Sequence, residues 1–247
     1  MKKIVFGTAI LLLTNTYVSA QTNPVLGKNI FKVNLTSLLF KNASIQYEHV
    51  LTPKSSFALG VSIMPKTGLP FASSLKEQYG SNDDAKRAIE TTQLSNYSVT
   101  PEYRFYLSGN APNGFYLAPF ARYQHMAFEQ DYSFTASSGK VYYPHITGNI
   151  DNIGAGLLAG VQWGSHLTLD WWIAGPIIGT TSGLLTGKAD MSDMSSADKA
   201  KLESDIESTN IPLTKLDATV GSNQVDVKLS GGYAGIRAFG FALGYRF

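Results

Sequence analysis

The segment SNYSVTPEYRFYL, residues 95–107, carries the clearest period-two pattern in the chain. One face of this segment, if it is extended, presents Val99, Pro101, Tyr103, Phe105 and Leu107. The opposite face presents Thr100, Glu102, Arg104 and Tyr106. A period of two indicates a β-strand, but a polar face with a charged pair suits either the water-facing side of a soluble sandwich or the lumen of a membrane barrel. Taken alone, the segment leaves both architectures open.

Similar alternation, interrupted by Gly, Pro, Asn and Ser, recurs on both sides of this segment. It predicts eight strands, at approximately Ile30–Leu38, Ala43–Leu51, Ser56–Met64, Ser95–Leu107, Phe115–Phe128, Ile150–Trp163, Leu167–Ile178 and Tyr233–Phe247. The same alternation places one set of polar residues on a presumed inner face, namely Glu102, Arg104, Arg122, Gln124 and Asp170.

The lengths of the connections favour a barrel over a sandwich. Short connections follow the second, fourth and sixth strands, and long ones follow the third, fifth and seventh, at Pro65–Leu94, Glu129–Gly148 and Gly179–Gly232. Only the first connection, Phe40–Asn42, breaks the pattern by being short. This sorting places the long loops at one end, so we expect an all-β, up-and-down transmembrane antiparallel β-barrel of about eight strands.

Two of the long loops are expected to carry short helices. Residues Ser73–Glu90 place a few apolar side chains among charged ones, and Ser195-Ser196-Ala197-Asp198 is typical of a helix start. Their apolar stripes are narrow, which favours solvated helices that decorate external loops.

The first twenty residues have the features of an export signal. Lys2 and Lys3 precede an apolar run at Ile4–Leu13, and Val18-Ser19-Ala20 is a small-residue cleavage site. Cleavage between Ala20 and Gln21 would leave one outer-membrane barrel domain at residues 21–247. The expected location is the outer membrane of a Gram-negative cell.

Charge and cysteine content exclude several classes of function. The chain has 20 Lys and Arg against 18 Asp and Glu, and the signal segment contains two of the lysines, so the mature chain is neutral and no nucleic-acid partner is expected. With no cysteine, there is no disulfide, no thiolate metal site and no lipid-bearing Cys of a lipoprotein.

No catalytic or metal-binding motif is visible, so we expect a non-enzymatic protein with no cofactor and no metal. The four histidines, His49, His125, His145 and His166, are widely spaced, and none is followed two residues later by Ser. The acidic residues of the loops show no calcium-loop spacing. Gly154, Gly156 and Gly160 are interpreted as small residues that pack inside a narrow barrel.

The polar set Glu102, Arg104, Arg122, Gln124 and Asp170 is predicted to face the lumen. An eight-stranded barrel is just wide enough for side chains to fill it. Opposite charges would therefore pair and close the lumen, and a narrow polar pore is the alternative.

The chain resembles the small outer-membrane β-barrels of the Bacteroidota, including the domain-of-unknown-function and OmpA-like eight-stranded types. The resemblance lies in VNLT (33–36), IQYEH (45–49), LDWW (169–172) with Gly175, and the terminal GYRF (244–247). Tyr245 and Phe247 resemble the C-terminal signal that barrel-assembly machinery reads, although Leu243 stands where that signal usually has glycine. The resemblance implies outer-membrane lipid and the assembly machinery as partners, with a possible surface ligand at the loops.

The leading hypothesis is thus a non-enzymatic outer-membrane barrel with a structural or surface-interaction role. The first alternative is a lipid-modifying outer-membrane enzyme, which requires a His, a hydroxyl and an acid to meet at the lipid-facing rim. The second is a soluble periplasmic carrier, which requires Val99, Tyr103, Phe105, Leu117 and Tyr123 to point inward.

Overall fold

The computed structural model describes residues 27–80, 83–136 and 138–247, and it is dominated by antiparallel β-structure. The proposed cleavage site at Ala20 and Gln21 lies outside the described residues. The strands are β1 (Asn29–Asn34), β2 (Ala43–Thr52), β3 (Ser55–Gly68), β4 (Gln93–Tyr106), β5 (Gly114–Asp131), β6 (Phe134–Thr135), β7 (Val141–Tyr142), β8 (His145–Gly164), β9 (Leu167–Lys188), β10 (Thr214–Val220) and β11 (Gln224–Arg246). The helices are α1 (Leu35–Leu39), α2 (Ala72–Tyr79), α3 (Asp83–Thr91) and α4 (Ser196–Glu207).

Eight of these strands form one closed ring. The hydrogen-bonded order is β1-β2-β3-β4-β5-β8-β9-β11, and β11 returns to β1 with Ile30 opposite Arg246 and Asn34 opposite Ala242. Every neighbouring pair in the ring is antiparallel. The predicted all-β class, strand number and antiparallel order are therefore confirmed. Strand β10 lies outside the ring and pairs only with the first part of β11.

The connections are sorted between the two ends of the ring as the sequence predicted. The turn end holds the short connections β2–β3, β4–β5 and β8–β9, together with the pairing of Asn29 and Phe247. The loop end holds α2 and α3, the β6–β7 hairpin, and a segment with α4 and β10. Helical structure in both predicted places is confirmed, and Ser195 caps α4 by accepting a hydrogen bond from the Asp198 amide at 3.1 Å.

The predicted first strand, Ile30–Leu38, is wrong in its second half, where the chain forms α1 instead. The side chain of Asn34 accepts a hydrogen bond from the Ser37 amide at 3.0 Å, and the Ser37 hydroxyl donates to the Asn34 carbonyl at 2.8 Å. This is an N-cap, which offers the backbone a better local arrangement than continued strand. Strand β1 is consequently shorter than the other strands of the ring, so the wall extends less far towards the loop end at β1.

Several other strands are longer than predicted, and the predicted loops are correspondingly shorter. Strand β9 continues from Ile178 to Lys188, β11 begins at Gln224, β8 begins at His145, and β5 runs to Asp131. The outward side chains of these extensions are mostly Thr, Ser, Lys and Asp, and on β9 the hydrophobic alternation that marks a strand is missing. In β11, Val225, Val227 and Leu229 do alternate with polar residues, but the apolar side chains are the buried ones, the reverse of the pattern in the rest of the ring. Strand β10 was also missed, although Leu216, Ala218 and Val220 alternate there with polar residues.

The two faces of the ring differ in chemistry in the reverse sense to a soluble protein. Outward-facing side chains are large and apolar, and Phe105 is 49% exposed while Ile178 and Ile236 are each 70% exposed. Buried inward-facing side chains include Lys32, Glu48, Glu102, Arg104 and Asp170. In the described part of the chain no helix is long and apolar enough to cross a membrane.

Inward-facing glycines of β8 make room for aromatic side chains of β5. A Cβ at Gly156 would lie 2.6 Å from the Phe120 ring, and one at Gly160 would lie 2.4 Å from the Tyr116 hydroxyl. The rings of β5 therefore lie across the interior directly against the β8 backbone.

Candidate functional site

Five charged side chains meet in the interior of the ring, and none of them is exposed to solvent. We call this set, Lys32, Glu48, Glu102, Arg104 and Asp170, the charge network. Strands β1, β2, β4 and β9 each contribute at least one member. The strands turn these groups inward because each lies on the polar face of its own alternating pattern.

Lys32 is the first residue of the charge network that joins several partners. Its Nζ lies 2.5 Å from the Glu48 Oε2 and 2.7 Å from the Asp170 Oδ2. It also donates to the Gln162 Oε1 at 2.5 Å. An ammonium with three donors is thus fully satisfied by three acceptors from three other strands.

Arg104 is the second residue of the charge network that joins several partners. Its Nη1 lies 2.7 Å from Asp170 Oδ2, and its Nη2 lies 3.0 Å from Glu102 Oε2. Its Nη2 also donates to the Gln46 Oε1 at 2.8 Å, and its guanidinium lies over the Tyr116 ring at 4.4 Å. Buried charges are tolerated when paired and hydrogen-bonded in this way.

Neutral donors occupy the remaining carboxylate lone pairs. The Tyr106 and Ser56 hydroxyls donate to Glu48 Oε1 at 2.6 and 2.5 Å, and the Tyr116 hydroxyl donates to Asp170 Oδ1 at 2.7 Å. Because each carboxylate is held from several sides, the arrangement is rigid and leaves no oxygen free to act as a base.

The structure brings together three of the five polar residues that the sequence placed on the inner face. Glu102, Arg104 and Asp170 belong to the charge network, whereas Arg122 lies towards the loop end and makes no ion pair with a carboxylate of the described residues. Gln124 lies two residues after Arg122 on β5, is half-buried and is not part of the charge network. The expected pairing of opposite charges is therefore found for Glu102, Arg104 and Asp170, but not for Arg122.

Several residues of the interior were missed. Lys32 and Glu48 lie on short alternating stretches, Ile30–Asn34 and Gln46–Val50, where the signal was present but brief. Arg237, whose Nη1 lies 2.6 Å from Glu102 Oε1, was hidden for a different reason. The backbone has a left-handed φ of 57° at Phe239, and the alternation of inward and outward side chains reverses there between Arg237 and the end of the chain.

A histidine–aspartate pair lies on the outward faces of β5 and β8, towards the loop end. Such a pair supplies two of the three residues of a hydrolase triad. His125 Nδ1 lies 2.8 Å from Asp151 Oδ1, and the Tyr123 hydroxyl donates to the same oxygen at 2.7 Å. Ser182 lies opposite Asp151 in the sheet, on the side away from His125. Within the described residues no hydroxyl is hydrogen-bonded to the His125 ring, so the pair lacks the nucleophile of a triad.

The other histidines and acids do not form a metal centre. His145 pairs with Asp131 at 2.8 Å, and His49 with Asn29 at 2.7 Å. Across residues 27–80, 83–136 and 138–247, no group of three or more His, Cys, Asp or Glu is arranged to hold a metal ion.

A cavity of about 480 Å³ lies at the loop end, beneath α4. Its apolar lining comes from the β6–β7 region, the loop-end parts of β8, β9 and β11, and α4, and includes Phe134, Ile146, Leu185, Met194, Leu202 and Val227. A buried cluster of Tyr142, Met191, Met194, Ala218, Val220, Val225 and Val227 supports one side of it. Apolar cavities of this size with a few polar groups are typical of small-molecule sites.

The C-terminal aromatic residues lie on the outside of the turn end. The rings of Tyr245 and Phe247 are stacked with centroids 6.4 Å apart, and both side chains are 55% exposed.

No protein-family model, curated protein or solved structure matches this chain.

Proposed function

We propose that this chain is an outer-membrane β-barrel without catalytic activity, closed by its charge network, that presents a folded loop end to ligands at the cell surface. The observation that carries the proposal is the reversed polarity of the ring. Apolar side chains face outward and paired charges face inward, which suits a strand wall that meets lipid.

The extent of the outward apolar surface supports a membrane-spanning wall. We call this surface the apolar belt; it runs from Phe115 to Tyr123 on β5, from Ile153 to Trp163 on β8 and from Ile236 to Tyr245 on β11. These stretches have the length, roughly 9 to 11 residues, that a tilted strand needs to cross a bilayer. Towards the loop end, the belt gives way to His125, Asp151, Ser182 and Ser230, which lie side by side on neighbouring strands.

Aromatic residues at the margins of the belt support the same placement. Tyr97, Tyr123 and His125 lie together at the loop-end margin, with Tyr97 stacked on His125 at 5.1 Å. Trp163, Tyr245 and Phe247 lie near the turn-end margin. Rings of amphipathic aromatic side chains at both interfaces are a feature of outer-membrane barrels.

The packing of the interior supports a filled lumen rather than a channel that runs through the ring. The charge network is inaccessible to solvent, and a cluster of Tyr106, Tyr116, Phe120, Leu158, Trp172 and Ile177 fills the adjoining space. The function then resides in the wall and at the loop end, where the 480 Å³ apolar cavity is the place for a small apolar ligand.

Fractionation and heat-dependent gel migration test the membrane placement. The full chain, expressed with its N-terminal segment in a Gram-negative host, should appear in the outer-membrane fraction and migrate differently before and after boiling. A soluble product with one mobility would overturn the proposal.

A fluorescent apolar probe tests the ligand cavity. In lipid nanodiscs, 1-aminoanthracene should show saturable fluorescence enhancement that Met194→Lys abolishes, while Lys228→Gln, on the outer face of β11, leaves it unchanged. Equal binding by both variants would exclude the cavity as the binding site.

A further inference from the structure

The ring wall has an opening on the side of β11 that faces β1. Strand β10 pairs with β11 only as far as Thr214 opposite Gly231, and β1 pairs with it only from Asn34 opposite Ala242. The stretch between, residues 233–241, has a strand partner only on its β9 side. On the open side it meets α1, where the Phe241 amide donates to the Thr36 hydroxyl at 3.0 Å.

A cavity of about 250 Å³ lies behind this opening, and we call it the side cavity. Its inner wall is rich in hydroxyl and amide groups, from Asn34, Ser44, Ser62, Ser98 and Thr100. Two guanidinium groups, Arg122 and Arg237, also line it. The side cavity is thus polar and basic, in contrast to the cavity at the loop end.

Within the described residues, the positive charge at the side cavity exceeds the negative charge that pairs with it. The buried carboxylates Glu48, Glu102 and Asp170 are matched by the three cations that contact them, Lys32, Arg104 and Arg237. Arg122 is an additional cation beyond these pairs.

Arg122 itself has unused hydrogen-bonding capacity. Its Nη2 donates to the Ser98 hydroxyl at 3.1 Å, which is its one hydrogen bond to the described residues, and its buried Nε has no partner. A guanidinium presents five donors in a planar fork that matches an oxyanion, and leaving such donors buried without acceptors is unfavourable. An anionic ligand in the side cavity would supply these acceptors.

The rim of the opening is apolar and faces the same way as the apolar belt. Ile236 and Phe239 are 70% and 74% exposed, and Phe40 on the opposite side is 48% exposed. Phe239 has a φ of 57°, a left-handed conformation that is strained for an aromatic residue and often marks a functional position. A molecule that enters here passes apolar side chains before it reaches the guanidinium groups.

We propose that the side cavity binds a phosphate group through Arg122, with the opening as its entrance. Arg237 is held against Glu102 and over the Trp172 ring at 3.9 Å, so it contributes to the field while Arg122 makes the direct contact. The phosphate belongs either to a free ion or to a lipid headgroup whose acyl chains stay at the apolar rim. The lipid source rests on the proposed membrane location, whereas the phosphate contact does not.

Thermal unfolding of the full chain in a phosphate-free, non-ionic detergent tests this proposal. A ligand that binds only the folded state raises Tm in a saturable manner. Three probes are compared: inorganic phosphate, dioleoyl phosphatidic acid, and dioleoylglycerol, which lacks the phosphate. We expect a saturable rise of a few degrees with phosphatidic acid and none with dioleoylglycerol, and a rise with inorganic phosphate as well would identify the free ion as sufficient.

Two variants separate the Arg122 contact from general electrostatics. Arg122→Gln should lose the rise, and Lys228→Gln, which removes a charge from the outer face of β11, should keep it. The proposal is overturned if neither phosphate compound raises Tm, or if Arg122→Gln responds like the wild type. If Arg122→Gln does not fold, Ser44→Phe, which fills the side cavity without changing charge, takes its place with the same expected loss. Heat-dependent gel migration, measured in parallel, reports failure of the barrel proposal separately.

Discussion

At the scale of single residues, Arg104 forms the most ion pairs in the charge network, because it contacts Glu102, Asp170 and Glu48. Arg104→Gln leaves these buried carboxylates short of a partner. We expect a loss of about 3–5 kcal/mol in the free energy of unfolding. Urea unfolding from lipid vesicles, followed by tryptophan fluorescence, measures it.

The control for Arg104 is the exposed ion pair between Lys66 and Glu129, whose Lys66 side chain is 53% exposed. Lys66→Gln should change the free energy of unfolding by less than about 1 kcal/mol, because solvent screens the pair. Equal losses in the two variants would show that the charge network does not stabilise the fold.

Gly160 is required because the interior has no room for a larger side chain at this position. A Cβ there would lie 2.4 Å from the Tyr116 hydroxyl and 2.9 Å from the Trp171 carbonyl. Gly160→Ala should displace Tyr116 from Asp170 and destabilise the protein by about 1–3 kcal/mol, as overpacking does. The same urea titration applies, with Gly60→Ala as the control, since the nearest atom to a Cβ there is 3.7 Å away.

The interior residues show why sequence reasoning found only part of the site. Glu102 and Arg104 stand in a long alternating stretch, so their inward direction follows from the period of the strand. Arg237 could not be placed from its sequence, because the alternation reverses at Phe239, where the backbone has a positive φ that no local sequence pattern marks. The separation of Arg122 from the carboxylates likewise depends on strand register, which alternation does not determine.

At the scale of elements, the β6–β7 hairpin is attached to the segment that follows β9 by polar contacts of one residue. Asp193 accepts hydrogen bonds from the Lys140 ammonium and, at 3.0 Å, from the Tyr142 hydroxyl. The hydrogen bond from Lys140 holds the pKa of the Asp193 carboxyl below its usual range. An aspartate with a lowered pKa stabilises the folded state above its unfolded pKa of about 3.9 and loses that contribution as pH falls through the folded value.

The expected result is that the hairpin stays attached at neutral pH and loosens only below about pH 4. Asp193→Asn should loosen it at neutral pH, which limited proteolysis within residues 132–144 would detect as faster cleavage. Asp190→Asn serves as the control, because Asp190 accepts its hydrogen bonds from the amide and hydroxyl of Ser192 rather than from Lys140 or Tyr142. Equal cleavage rates for Asp193→Asn and wild type would contradict the assignment.

The strands that sequence predicted best are those whose outward faces belong to the apolar belt. On β9 after Ile178 the alternation disappears, although the backbone pairs on both edges. In the first part of β11 the sequence still alternates, but with apolar residues buried and polar residues outward. Helix α1 was missed because a single side chain, Asn34, ends β1 through its cap. The count and order of the ring strands were therefore predictable, while their ends were not.

At the scale of the whole molecule, a charge network that solvent does not reach predicts a ring that does not conduct ions. In planar lipid bilayers the wild-type protein should produce no conductance steps under conditions in which a general porin does. Reproducible single-channel steps from the wild type would show that the interior opens as a polar pore.

Reversed polarity of the ring wall is the central claim, and single cysteines can test it because the natural chain has none. Nitroxide labels at Asn149, Ile153 and Leu157, all on the outward face of β8, are compared in lipid vesicles. Labels at 153 and 157 should collide with dissolved oxygen and be shielded from a water-soluble nickel chelate, and the label at 149 should show the opposite. Equal exposure of all three labels to the nickel chelate would contradict the account.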